Sequence, residues 1–210
     1  MDKKYAIFDM DGTLIDSMIF WKNLASGYLV SRGVKQIPED ILERIKPMTM
    51  SESAALFQQK FGLNGDPEAE MNTMMDDHYR NHILLKPGVR EYLQILHKSG
   101  VRMCVASATA EPLMEACLTR LGVRDYFEFL LSCETVGYGK RSPLVYHESA
   151  RLLGAHPVEI AVYEDALYAV QTAKEAGYYV VGVFDESASK NWKTIENLAD
   201  EIILNWGESI

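Results

Sequence analysis

Tyr5-Ala6-Ile7-Phe8-Asp9-Met10-Asp11-Gly12-Thr13-Leu14 is the stretch that decides how the rest of the chain is read. Four mostly apolar residues run into two carboxylates one residue apart, and a glycine follows at once. This predicts a buried strand that ends on charge and then turns. Side chains alternate faces along a strand, so Asp9 and Asp11 share a side near its end. Two acids held that close repel unless a cation or a shared proton lies between them. The pattern points to a metal-assisted site in which one carboxylate attacks and the other handles protons. A solvated turn at a strand end uses the same residue types, so the segment needs support from elsewhere.

Three later segments give that support. Val101 to Ala108 reads as an apolar strand whose end carries Ser107. Gly139-Lys140 precedes Ser142-Pro143, and Ile160-Ala161-Val162-Tyr163 runs into Glu164-Asp165. Each has a plainer reading: Ser107 as a helix cap, Lys140-Arg141 as an exposed basic pair, Glu164-Asp165 as the start of a helix, Asp16-Ser17 as the cap of the next one.

Together the segment Asp9-x-Asp11-Gly12-Thr13-x-x-Asp16-Ser17, the Ser107 strand end, Lys140 and the Glu164-Asp165 pair resemble, in order, the four motifs of the haloacid dehalogenase superfamily. The likeness spans most of the chain. Asp11 is absent from true dehalogenases of that group, so its presence points to phosphoryl transfer. The resemblance implies an α/β fold, a Rossmann-like doubly wound parallel sheet with an inserted α-helical cap. It further implies Mg2+ held by Asp9, Asp11 through its backbone carbonyl, Asp165 and Glu164. Asp9 would be the nucleophile that forms an aspartyl-phosphate, and Asp11 the acid and base. Ser107, with backbone N–H groups from Ala108 on, would bind phosphoryl oxygens, and Lys140 would supply fixed positive charge.

Outside residues 17 to 86 the pattern alternates strand and helix, as in a parallel sheet covered on both faces. Strands are expected near 4–9, 101–107, 127–132, 159–164, 178–184 and 201–204. Helices are expected near 88–99, 110–121, 143–153, 166–176 and 189–199. Residues 17 to 86 read as helices near 17–32, 38–45, 50–61 and 67–83, punctuated by Pro38, Pro47, Gly62 and Pro67. The division expected is a core of 1–16 and 87–210 with a cap of 17–86, hinged near Asp16-Ser17 and Leu84-Pro87. Ligands of open parallel sheets bind beyond the carboxyl ends of the strands, where Asp9, Ser107 and Asp165 fall.

The composition narrows the partners. The chain has 210 residues, 48% of them hydrophobic, and a formal net charge of −9. No basic patch stands out, which disfavours nucleic acid and anionic membrane. An acidic protein that handles phosphate needs local positive charge, and a divalent metal is the expected source. No apolar run has membrane-spanning length and no secretion signal is read, so a cytoplasmic protein, monomeric or weakly homo-oligomeric, is expected. Three cysteines, with Cys104 and Cys133 placed in strands and Cys117 in a helix, read as buried free thiols.

Within the superfamily the likeness is to the subgroup of β-phosphoglucomutase and phosphoglycolate phosphatase. The third motif departs from Lys-Pro-x-Pro-Asp, since Lys140-Arg141-Ser142-Pro143-Leu144 lacks the acid. Trp21 falls about where the mutases place a histidine, and Arg44-Ile45-Lys46-Pro47-Met48-Thr49 replaces an Arg-x-Gly segment. Phe20 and Trp21 would wall an apolar pocket for substrate or pack the cap. Lys22 and Lys46 are the lysines near the place where a phosphonate hydrolase needs one. His78 and His82, beside Asp76 and Asp77, have a zinc-like spacing but no anchored further ligand. The Gly137-Tyr138-Gly139-Lys140 run lacks the spacing of a nucleotide-binding loop. The function expected is a magnesium-dependent phosphatase for a small phosphorylated metabolite. A phosphomutase and a non-catalytic phosphate-ligand-binding protein are the alternatives.

Overall fold

A computed structural model describes residues 3–45 and 47–208. Lys46 lies outside the described residues. The first strand, β1 (Tyr5–Phe8), is followed by α1 (Met18–Ser31), α2 (Glu39–Ile45), α3 (Met50–Phe61) and α4 (Pro67–Asp77), which continues into a π-helical turn, His78–His82. Strand and helix then alternate: α5 (Val89–Lys98), β2 (Arg102–Ser107), α6 (Glu111–Arg120), β3 (Leu130–Ser132), α7 (Cys133–Val136), α8 (Leu144–Leu153), β4 (Ile160–Glu164), α9 (Leu167–Glu175), β5 (Tyr179–Val183), α10 (Trp192–Leu198) and β6 (Glu201–Ile203).

The strands form one parallel sheet in the order β3-β2-β1-β4-β5-β6. Parallel strands buried on both faces read as continuous apolar runs, and β1 shows why. Ala6 and Phe8 join an apolar cluster on one face, while Ile7 joins Cys104, Val162 and Val180 on the other. The first cluster continues without a break into Leu24, Tyr28, Phe57 and Met75 of the helical insertion. Phe8 lies level with Val105 and Tyr163 of the flanking strands. Asp9 extends the ladder by one bond, its N–H donating to the Tyr163 carbonyl at 3.0 Å. The carboxyl ends of β1, β2 and β4 therefore meet on one edge, at the reversal of strand order where ligands of such sheets bind.

The insertion leaves and returns through paired linkers. The Asp16 N–H donates to the Leu84 carbonyl and the Lys86 N–H to the Leu14 carbonyl, each at 2.9 Å, with an antiparallel bridge between Ile15 and Leu85. Inside the insertion, α3 starts with a capping box: the Glu52 N–H donates to Thr49 Oγ1 at 3.1 Å and the Thr49 N–H to Glu52 Oε2 at 2.7 Å. Such a cap stabilises a helix by about 1 kcal/mol. A carboxylate from the sheet side joins it, because Ser51 N–H donates to Glu134 Oε1 of α7 at 3.0 Å.

Several expected boundaries move. The strand expected over 127–132 keeps only Leu130–Ser132. A 3-10 turn over Arg124–Tyr126 delays its start, and the Ser132 hydroxyl accepts from the Glu134 N–H, starting α7. Cys133 is consequently the first residue of a helix rather than part of a strand. The helix expected over 189–199 is split, because Asp185 accepts from the Ser187 N–H and opens a 3-10 stretch, Glu186–Asn191, before α10. All three cysteines are free and buried, as expected.

Candidate active site

Two carboxylates two residues apart stand in unlike surroundings. Asp9 is 6% exposed. One of its oxygens accepts a hydrogen bond and ion pair from Lys140, and the other, Oδ2, is buried with no partner among the described residues. Lys140 also donates to Glu164 Oε1 at 2.6 Å, and the Tyr146 hydroxyl of α8 reaches the same oxygen at 2.7 Å. Lys140 is thus a buried cation between two acids, not half of an exposed basic pair. Arg141 is exposed and lies over the Tyr168 ring at 5.6 Å.

Asp9, Glu164 and Asp165 bring one carboxylate oxygen each within 4.8 Å of one another. Glu164 ends β4 and Asp165 follows it, while α9 begins at Leu167, so neither starts the helix as its first turn. Gly12 makes the close approach possible. Its φ is +83°, and a Cβ there would stand 2.4 Å from Asp165 Oδ2, so a side chain is refused on both counts. The Thr13 hydroxyl lies 3.5 Å from Asp165 Oδ1.

The electrostatics follow from that crowding. Burial pushes the Asp9 carboxyl up to about 7, with repulsion from Glu164 and Asp11 adding to it and Lys140 opposing it. Asp165 is raised well above the usual carboxylate range by burial first, then by Asp9 and Glu164. Burial alone would lower the Lys140 amine, but the two acids beside it outweigh that and hold it well above its usual value. Three buried acids against one lysine leave the cluster short of positive charge. Hard oxygen donors with an orphaned, buried Asp9 oxygen fit a hard divalent cation.

Asp11 lies outside this cluster and faces neutral donors. Its Oδ1 accepts from Ser17 Oγ at 2.6 Å, Trp21 Nε1 at 3.0 Å and the Tyr79 hydroxyl at 2.6 Å. Its Oδ2 accepts from Thr109 Oγ1 at 2.6 Å and, at a long 3.4 Å, from Ser107 Oγ. Ser17 therefore turns its hydroxyl to Asp11 instead of capping α1. Ser107 Oγ accepts from the Thr109 N–H at 3.1 Å in the bend after β2 that contains Ala108, and Ala110 occupies the cap position of α6. Trp21 places its polar edge on Asp11 and also donates to the Tyr79 hydroxyl at 2.7 Å, so it does not simply wall an apolar pocket. Phe20 packs on the His78 ring, centroids 4.3 Å apart.

Thr109, Tyr79 and Tyr146 were not singled out from sequence. Thr109 had a signal, two residues beyond Ser107. The tyrosines had none, because an aromatic residue at helical spacing reads as core. The widened turn at His78–His82 also breaks the phase on which helix faces are read. His82 pairs with Asp77 at 3.0 Å while His78 stacks on Phe20, so the two histidines do not converge on a metal. A groove of about 430 Å³ opens beside the Lys140 loop, between Arg44, Pro47 and Met48 of the insertion and Tyr138 and Arg141.

Known proteins resemble this chain over most of its length. The family model described as haloacid dehalogenase-like hydrolase matches residues 6–183. Hexitol phosphatase B of Escherichia coli K12 is 30% identical over 175 residues, covering 81% of this chain and 79% of that protein. A phosphoglycolate phosphatase of Chromobacterium violaceum is 26% identical over 190 residues, covering 86% and 84%. Among solved structures, a haloacid dehalogenase-like hydrolase of Bacteroides fragilis superposes with a TM-score of 0.80 at 23% identity, covering 99% of this chain and all of the other.

Proposed function

The chain belongs to the haloacid dehalogenase-like hydrolase family, and from that premise we propose that it is a magnesium-dependent phosphatase that hydrolyses a small phosphorylated metabolite, a sugar phosphate or similar, through an aspartyl-phosphate on Asp9. The observation that carries this reading is Asp9 itself: buried at the end of the central strand, paired with Lys140, with its second oxygen unpartnered in a cluster with Glu164 and Asp165. The names of the curated relatives support the substrate class.

Residues 1–16 and 87–210 form the core of this reading and 17–86 the cap. The Asp9 carboxylate attacks phosphorus in line, forming one phosphorus–oxygen bond as the ester bond breaks on the opposite side. Asp11 gives its proton to the departing alkoxide. It then takes a proton from the water that attacks the aspartyl-phosphate, which releases phosphate and restores Asp9. Lys140 holds Asp9 in place and sets positive charge beside the transferring group. Ser107 and the N–H groups of the bend through Ala108 hold phosphoryl oxygens. Asp9, Glu164, Asp165 and the Asp11 carbonyl would hold Mg2+, which would supply the charge cancellation that a carboxylate needs to approach a phosphate dianion. Trp21 lines the leaving-group side through its contact with Asp11. No helix among the described residues is long and apolar enough to cross a membrane, and the reading is of a cytoplasmic enzyme, monomeric or weakly associated.

The test is phosphate release from a panel of phosphorylated metabolites, with magnesium and again with a chelator. Metal-dependent release from at least one sugar or small-acid phosphate is expected, and Asp9→Asn should abolish it with the fold retained by circular dichroism. Release that persists in the chelator, or in Asp9→Asn, overturns the assignment.

A further inference from the structure

The five donors around Asp11 are not equivalent. Oδ1 accepts from three of them, Ser17, Trp21 and Tyr79, all on the first linker or the insertion. That saturates its lone pairs. The indole N–H only donates, so this side keeps a fixed donor however the two hydroxyls turn. Oδ2 faces Thr109 and Ser107, both hydroxyls of the core. A hydroxyl rotates and accepts as readily as it donates. Oδ2 is therefore the oxygen free to gain and lose a proton.

Tyr79 is the best anchored of the Oδ1 donors. It is fully buried, and its hydroxyl touches Asp11, Trp21 and, at 3.1 Å, Thr109. Its backbone is gripped from the core. Arg120, the last residue of α6, donates to the Tyr79 carbonyl through Nε at 3.1 Å and Nη2 at 3.0 Å, and to the Ile83 carbonyl as well. The first carbonyl lies in the π-helical turn and the second on the residue that ends it. Such turns shift the direction of the side chains after them, and they recur at functional sites.

We propose that Tyr79, fixed by Arg120 at its carbonyl and by Trp21 at its hydroxyl, is a positioning residue for Asp11: it holds Oδ1 so that Oδ2 alone exchanges a proton with the leaving group and the attacking water. The assignment rests on the phosphatase reading above. Tyr79 touches no reacting atom. Its effect passes through Asp11, and that of Arg120 through Tyr79.

The experiment compares two substrates in magnesium: an alkyl phosphate that the wild type hydrolyses, whose leaving group must be protonated, and p-nitrophenyl phosphate, whose leaving anion departs without a proton. Tyr79→Phe keeps the ring and removes the hydroxyl. Its kcat/KM should fall about 10- to 100-fold on the alkyl phosphate and stay within about two-fold of wild type on p-nitrophenyl phosphate. Arg120→Ala should show the same split at smaller size, and Arg120→Lys should recover part of it. If Tyr79→Phe does not fold, Arg120→Ala must show the split by itself. Equal losses on both substrates would mark Tyr79 as cement between insertion and core and overturn the assignment, as would an unchanged alkyl phosphate rate. A wild type that hydrolyses neither substrate overturns the phosphatase reading, and this assignment falls with it.

Discussion

Asp9 and Asp11 are separated by one residue, yet they belong to two differently built regions. Around Asp9 the protein has gathered charge: Lys140 from one loop of the core and Glu164 and Asp165 from the end of β4, with one Asp9 oxygen left unpartnered among the described residues. Around Asp11 it has gathered dipoles: three hydroxyls, a phenol and an indole, three of the five from the first linker and the insertion. The charged cluster is short of a cation, while the dipolar cradle is short of nothing. A group meant to meet metal and phosphate is left in need, and a group meant to pass protons is satisfied by partners that can mostly turn around.

The sharpest way to break the comparison is to neutralise Asp11. In Asp11→Asn the amide nitrogen fits on the Oδ2 side, because the Thr109 and Ser107 hydroxyls can rotate to accept from it. Steady turnover should fall by about 10²- to 10⁴-fold. With p-nitrophenyl phosphate, rapid mixing should still show a burst of about one equivalent of p-nitrophenolate, because the first half-reaction needs no acid there. A burst-free, proportionate loss would mean that Asp11 serves the first half-reaction with every leaving group.

A second comparison is made in stability. Asp9 and Asp165 have their folded pKa values raised, Asp9 to about 7. A raised carboxyl binds its proton more tightly folded than unfolded, so the stability it contributes is present below the unfolded value and lost as pH rises through the folded one. The metal-free protein should therefore melt several degrees lower at pH 8 than at pH 5.5, with the Asp9 share of the loss complete as pH passes about 7, and saturating magnesium should reverse it by binding the ionised cluster. A melting temperature that rises over that interval without metal would contradict the crowding described for Asp9.

The smallest effect is expected at Tyr146. Removing its hydroxyl in Tyr146→Phe leaves Glu164 with Lys140 as its partner at the same oxygen. The loss of one hydrogen bond to a charged group costs about 1.5–3 kcal/mol of stability. Activity should fall only a few-fold, with weaker magnesium binding by titration calorimetry. An unchanged magnesium affinity would show that Lys140 alone orients Glu164.

The same contrast explains what was legible in the sequence. The charged region was written in short words: an apolar run that stops at Asp9 and another at Glu164-Asp165, with Lys140 between, and the strand end at Ser107 gave the dipolar region one such word. Periodicity and composition locate such strand ends without tertiary information. Even there, the burial of Lys140 was not visible, because a Lys-Arg pair in a loop defaults to solvent. The dipolar region was written in single letters scattered over Ser17, Trp21, Tyr79 and Thr109. Each has an ordinary local reading, as a helix cap or as core, and only the folded chain shows that they share one carboxylate. The π-helical turn hid Tyr79 further by shifting the face from which it emerges.

The paired linkers carry a mechanical consequence. In the proposed division into core and cap, two chains hydrogen-bonded side by side at Asp16–Leu84 and Leu14–Lys86 would act as a hinge with a single axis, which would let the insertion swing but not slide. Ser17 adjoins one linker and Tyr79 closely precedes the other, so the cradle of the acid sits at the pivot, where displacement is least. The loop at Pro47–Thr49, which meets Gly139 so closely that a Cβ there would stand 2.5 Å from the Pro47 carbonyl, sits far along the lever. On that proposal a small rotation would open a wide mouth beside Lys140 while it scarcely disturbed Asp11.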